Sequence, residues 1–273
     1  MPINSINTNI SAQVALQFLN GTNREMDTVK NRVSTGLKVN GAVDDASSFA
    51  IAQGLRGDVK AYSAVSQGLA NGRGVATIAL SVATSISDII SDVKKKIIEG
   101  MNAANTTEQQ NILNADFFSL ATQINTFIAN AIYNGRNILS AVSTSVNVIA
   151  NIDGTTLTIR SQSAFSATSI NLGAQNISST VAAFKALSAL ALAQSSIAVA
   201  LGQIGADVRA LNFQADFISQ LTDSTNEGLG DIVDADMAKE SARLQALQVK
   251  QQLGVQTLNI ANQRPTILQQ LFR

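Results

Sequence analysis

The chain reads as mainly α: a long antiparallel helical rod of three helices with a small β-hairpin, joined to paired N- and C-terminal coiled-coil helices. Three observations carry this expectation. Apolar residues recur at alternating three- and four-residue steps from Leu187 to Ile218, the mark of a helix face packed on another helix. One short segment, around Asp153-Gly154, changes to alternation of period two, the pattern of a hairpin. Aromatic residues make up only 4% of the chain, although 45% is hydrophobic. A core short of large rings suits thin layers of helices better than a thick globule.

The elements follow in order. Ile3, Ile6, Ile10, Val14, Phe18, Met26, Val29 and Val33 mark an end helix over residues 3–35. The stretch VSTGLKVNGAVDDAS, Val33 to Ser47, interrupts it. Gly36 and Asn40-Gly41 tolerate left-handed backbone and stop the helix. Asp44 is expected to cap the next one, with Asp45 on its positive end. That helix, over 44–100, carries the stripe Val82, Ile86, Ile89, Val93 and Ile97 and would be about 85 Å long. Its glycines at 54, 57, 68, 72 and 74 each cost up to about 1 kcal/mol, which makes sense where other backbones approach.

NAANTT, Asn102 to Thr107, reads as a turn with Thr107 as the cap of a second rod helix, 107–131. Leu113, Phe117, Leu120, Ile124 and Phe127 are its stripe. Val142, Thr144, Val146 and Val148 then alternate with polar residues, as do Leu157 and Ile159 across the Asp-Gly turn. The third rod helix, 179–223, bears Leu187, Leu190, Gln194, Ile197, Leu201, Ile204, Val208, Leu211, Ala215 and Ile218. A second break is expected over Ser224 to Asp236, where Gly228, Gly230 and several carboxylates recur. The C-terminal helix follows, with Leu244, Leu247, Leu258, Ile267, Leu271 and Phe272 among its apolar positions. These spread over most of its circumference, so burial on nearly all sides is required. No further segment is left to cover the two ends, and the cover is expected from other copies of the chain. The resulting domains are terminal coiled coil 1–42 with 232–273, rod 43–138 with 178–231, and hairpin region 139–177.

Composition narrows function. The 19 basic and 19 acidic residues cancel, against a nucleic-acid partner and without the net charge that opposes self-association. There is no Cys and no His, which removes thiol nucleophiles, disulfides, zinc sites of the usual ligands and His-based triads. The pairs Asp44-Asp45 and the group Asp231, Asp234, Asp236 are read as helix-start residues rather than catalytic carboxylates or a Ca²⁺ loop. No catalytic, cofactor or metal residue is assigned. MPINSINTNISAQ has neither a basic nor an apolar signal-peptide region, and no run is expected to reach the length of a membrane span. The one dense charge run is Lys94, Lys95 and Lys96, a solvated face or a contact for an acidic partner such as an anionic polysaccharide.

Several long motifs resemble bacterial flagellin, the filament subunit. SINTNISAQVAL looks like the family's N-terminal block, and VSTGLKVNGAVDDAS is similar to its Ser-Gly-Leu-Arg-Ile-Asn…Asp-Asp-Ala signature. YNGRNIL, DADMAKESARLQ and QLGVQTLNIANQRPTILQQLFR are similar to later blocks, so the match spans about 1–139 and 185–273. The short middle resembles compact members of the family. The resemblance implies a structural, non-enzymatic role: self-assembly into the extracellular flagellar filament for swimming. It also implies export by the flagellar type III system without a cleaved signal peptide. An export chaperone and hook-associated junction and cap proteins are its implied partners. A hook–filament junction protein and a surface flagellin-like receptor for an acidic glycan are the alternatives.

Overall fold

A computed structural model of the chain describes residues 8–165 and 172–271, with the side chains of Ala164 and of residues 264–271 outside the described set. Along the chain run α1 (Ile10–Thr35), α2 (Ala46–Gly100), α3 (Thr107–Asn130), β1 (Val146–Ile149), β2 (Thr156–Ile159), a 3-10 turn (Ser163–Phe165), α4 (Thr180–Val233) and α5 (Met237–Leu271). The mainly helical fold with one hairpin is the one expected. Two compact units form, one from residues 1–57 and 224–273, the other from 58–223. The division falls inside α2 and α4 rather than at breaks in the chain.

Within 58–223, α2, α3, α4 and the hairpin share one apolar core. Ile86, Val93 and Ile97 of α2 meet Phe117 and Ile124 of α3 and Leu190, Ile197, Ile204, Leu211 and Ile218 of α4. The α4 stripe is therefore real, but only half of it lies at the centre. Its fully buried companions are Ala186, Ala193 and Ala200, whereas Leu187, Leu201 and Val208 are half-buried flanks. Packed helices come closest where side chains are smallest, so these alanines share the seam with Leu190, Ile197, Ile204 and Leu211, while Leu187, Leu201 and Val208 take its margin. α3 starts from Thr106, not Thr107. Thr106 Oγ1 accepts from the Gln109 amide, and the Gln109 side chain accepts from the Thr106 amide, a reciprocal capping box.

The hairpin is antiparallel, pairing Val146 with Ile159 and Val148 with Leu157. These four face the core, while Asn147 and Thr158 face out and hydrogen-bond to each other at 2.9 Å. Gly154 takes φ 81° in the connecting turn, a conformation that favours glycine. The alternation begins later than the sequence suggested: Val142 precedes β1 and is exposed.

The glycines of α2 divide into two kinds. A Cβ at Gly72 would lie 2.5 Å from Val148 Cγ2, and one at Gly74 would lie 2.5 Å from the Tyr133 ring. A side chain of β1 and one of the segment just after α3, not other backbones, require these two. Gly54, Gly57 and Gly68 face open space within the chain. By length and composition alone, α2 and α4 are apolar enough to cross a membrane, with 18-residue windows of mean hydropathy 1.5, contrary to expectation. Alanine-rich helices with few charges reach that value while burying a core face, as both do here.

Two outcomes check this packing. Ile204→Ala should lower the unfolding free energy by about 2–5 kcal/mol, whereas Leu192→Ala on the exposed side should stay within about 0.5 kcal/mol. In denaturant titrations, Gly68→Ala should stabilise by up to about 1 kcal/mol. Gly72→Ala should gain nothing or lose stability, because stiff Val148 has to move.

Candidate assembly surfaces

The chain breaks are where the first unit is tied together. α1 ends at Gly36, with φ 74° and its amide donating to the Arg32 carbonyl. The following residues run against the α4–α5 junction. Lys38 N–H donates to the Val233 carbonyl at 2.7 Å, Ala235 N–H donates to the Gly36 carbonyl at 2.8 Å, and Leu37 bridges Asp234 in antiparallel fashion. The two breaks thus satisfy each other's backbone groups.

The sequence placed the first break correctly but shifted its cap by one residue. Asp45 caps α2: its Oδ1 accepts from the amides of Ser47 and Ser48, and its Oδ2 from the Ser48 hydroxyl at 2.7 Å. These bonds hold the Asp45 carboxyl below its ordinary pKa, the Ser48 hydroxyl being the largest cause. Asp44 turns back instead, accepting from the amides of Asn40 and Gly41. The second break is shorter than expected. α4 continues through Gly228 and Gly230 to Val233, and only Asp234 to Asp236 lie outside a helix. Asp236 caps α5 by accepting from the amides of Ala238 and Lys239.

α1 and α5 pack against each other through a small core of Met26, Val29 and Leu247, flanked by Val33 and Leu244. Polar contacts align the pair: Arg32 to Glu240 at 3.3 Å, Gln251 to Asn23 at 2.8 Å, and Asn9 to the Ala261 carbonyl at 2.8 Å. Glu240 is 7% exposed, and its Oε2 and the Arg32 Nε lack partners. A buried ion pair with unpartnered atoms adds little stability, because desolvation offsets its attraction.

The apolar residues left over matter more. Ile10, Val14, Leu16 and Phe18 of α1 are exposed, Phe18 at 74%, as are Val249, Leu253, Val255 and Ile260 of α5. Among the residues singled out for self-assembly, Leu247 and Leu244 face the partner helix, Leu258 is half-buried, and Ile10 and Val14 are open. Ile3, Ile6 and Phe272, and the side chains of Ile267 and Leu271, lie outside the described residues.

Within 58–223, Lys96 is already engaged: its Nζ sits 3.2 Å from Asp116 and 3.3 Å from Glu99. Those hydrogen bonds, Asp116 first, raise its pKa. Lys94 and Lys95 stay exposed, so only two of the three lysines face outward unpaired. One residue escaped sequence reasoning. Asp207 occupies the buried seam of α4, 8% exposed. Its carboxylate accepts from the Arg160 backbone amide at 3.0 Å and from the Arg160 guanidinium at 2.8 Å. Heptad spacing marks it: Asp207 lies three residues after Ile204 and four before Leu211. Among the described residues, no group of three or more His, Cys, Asp or Glu side chains is arranged to hold a metal.

Comparison with known proteins supplies the context. The family model for the bacterial flagellin N-terminal helical region matches residues 6–144, and that for the C-terminal helical region matches 187–272. Flagellin FljK of Caulobacter vibrioides is 37% identical over 274 residues, covering 100% of both chains. A flagellin of Brucella melitensis is 37% identical over 98% of this chain and 99% of its own. In solved structures, Bacillus cereus flagellin matches with a TM-score of 0.50 at 15% identity, over 55% of this chain and 88% of that one. A putative flagellar hook-associated protein from Vibrio parahaemolyticus matches with a TM-score of 0.57 at 13% identity, over 70% of this chain and 100% of that one. At those identities the structural matches speak for fold alone.

The Asp45 cap gives a signed pH expectation. A carboxyl whose folded pKa is lowered contributes stability above its unfolded pKa and loses it as pH falls through the folded value. Protection of the Ser47 and Ser48 amides, their exchange compared with the unstructured chain at the same pH, should therefore persist at neutral pH and fall only once the solution is more acidic than the ordinary carboxylate range. In Asp45→Ala that protection should be low at every pH.

Proposed function

Because the chain belongs to the bacterial flagellin family, we infer that α1 and α5 are the segments whose burial between copies builds its polymer. The protein is a structural subunit that self-assembles into the extracellular flagellar filament for swimming, in a family that is structural rather than enzymatic. The observation that carries the reading of the ends is their exposed apolar surface. The paired helices hide Met26, Val29 and Leu247 and leave Phe18, Leu253, Val255 and Ile260 uncovered. Each large apolar side chain moved from water into an interface contributes about 1.5–3 kcal/mol. A coiled coil supplied by neighbouring copies would cover the remaining faces.

On this reading Ile3, Ile6, Ile10, Val14, Leu244, Leu247, Leu258, Ile267, Leu271 and Phe272 form the terminal assembly helices. The break residues Gly36, Gly41, Asp44 and Asp45 belong to the same proposal as the linker and caps between α1 and α2. Export through the flagellar type III channel, an export chaperone, and junction and cap partners belong to the same proposal and rest on family membership.

Purified protein seeded with filament fragments should elongate, as seen in electron micrographs. Leu253→Asp should abolish elongation, because a lone charge in an apolar interface costs several kcal/mol, while leaving thermal melting of the monomer unchanged. Elongation of Leu253→Asp at the ordinary rate would remove α5 from the interface.

A further inference from the structure

We propose that Phe213 and Phe217 of one copy seat in an apolar groove on the 58–223 unit of a neighbouring copy. The proposal rests on the reading of the chain as a self-assembling subunit and names one pair of surfaces that meet. The groove measures about 330 Å³ and is walled by Ala64, Gly68, Gly72 and Val75 of α2 and by Val146 and Val148 of β1. Gly72 and Val148 are in close contact along it, whereas a Cβ on Gly68 would meet nothing within 4 Å. The groove is therefore open at a helix position where glycine serves no contact within the chain.

The complement lies on α4. Phe213 is 71% exposed and Phe217 49%, one helical turn apart on the same face. A cavity of about 150 Å³ holds one benzene ring, so the groove has room for about two. Charge agrees with shape. Arg136 lines the groove, and Lys60 stands one turn before Ala64 on α2. Asp216 follows Phe213 by three residues and Asp223 follows Phe217 by six, with Arg209 one turn before Phe213, so this stretch of α4 carries one net negative charge. None of Lys60, Arg136, Arg209, Asp216 or Asp223 has an ion-pair partner among the described residues. Asn71, Asn134 and Asn147 add polar groups around the groove, giving the apolar centre and polar rim of a protein interface.

The symmetry also fits. Knob and groove are different patches of one molecule, so the contact is heterologous, and heterologous contacts that do not close into a ring extend into helical polymers.

The test uses the full chain, elongated from filament seeds. Phe213→Ala with Phe217→Ala should raise the concentration needed for elongation at least tenfold, with monomer melting unchanged. Gly68→Leu, which fills the groove from within, should do the same while melting at or above the parent temperature. The chain has no cysteine, so Phe217→Cys combined with Ala64→Cys gives a clean cross-link, and oxidised filaments should run as a ladder of covalent multimers. Either the phenylalanine or the Gly68 variant elongating like the parent would overturn the contact, as would filaments without a ladder. Failure of the parent chain itself to elongate would instead overturn the filament reading, and this contact with it.

Discussion

Two helices in contact can each hide one stripe, and α1 and α5 carry more apolar surface than one stripe each. This constraint organises the rest of the molecule. The apolar core between them comprises Met26, Val29 and Leu247 with two half-buried neighbours, and polar pairs such as Arg32 with Glu240 supply much of the alignment. Ordering a residue costs roughly 1–2 kcal/mol of backbone entropy. A pair this thin offsets little of that by itself. On the proposed reading, assembly buries what folding leaves exposed.

The 58–223 unit answers a different demand, since it has to stand with few aromatic rings. It does so by close approach. Alanines at 186, 193 and 200 line the seam of α4, Gly72 and Gly74 admit Val148 and Tyr133, and Asp207 anchors the hairpin through Arg160. A carboxylate in an apolar seam is tolerable because two N–H groups satisfy it, and removing Arg160 would leave it costly. On the proposed reading this unit meets neighbouring copies, and Phe213, Phe217, Leu192 and Val199 of α4 are exposed.

Much of this was legible in the sequence. Period-seven spacing located the α4 seam, period-two alternation and Asp153-Gly154 located the hairpin, and the glycines located the first break. The errors have physical causes. Thr106 and Thr107 are chemically equivalent as caps, and only the reach of Gln109 back to the Thr106 amide decides between them. Asp44 and Asp45 pose the same problem, settled by which carboxylate meets the amides of Ser47 and Ser48. Gly228 and Gly230 suggested a break, but glycine only weakens a helix by about 1 kcal/mol, and α4 runs through both. Asp207 was missed because its partner lies across the hairpin, 47 residues away in sequence. The exposed apolar positions of α5 were legible from its helical wheel, where apolar residues spread round most of the circumference.

The most direct measurement compares amide hydrogen exchange in dilute monomer and in filaments. If assembly completes the protein, residues 10–35 and 237–271 exchange rapidly in the monomer while the seam around Ile197, Ile204 and Leu211 is protected. In filaments all of them are slow. Equal, strong protection of α1 and α5 in dilute monomer would contradict the account, because the pair would then be stable without any neighbour.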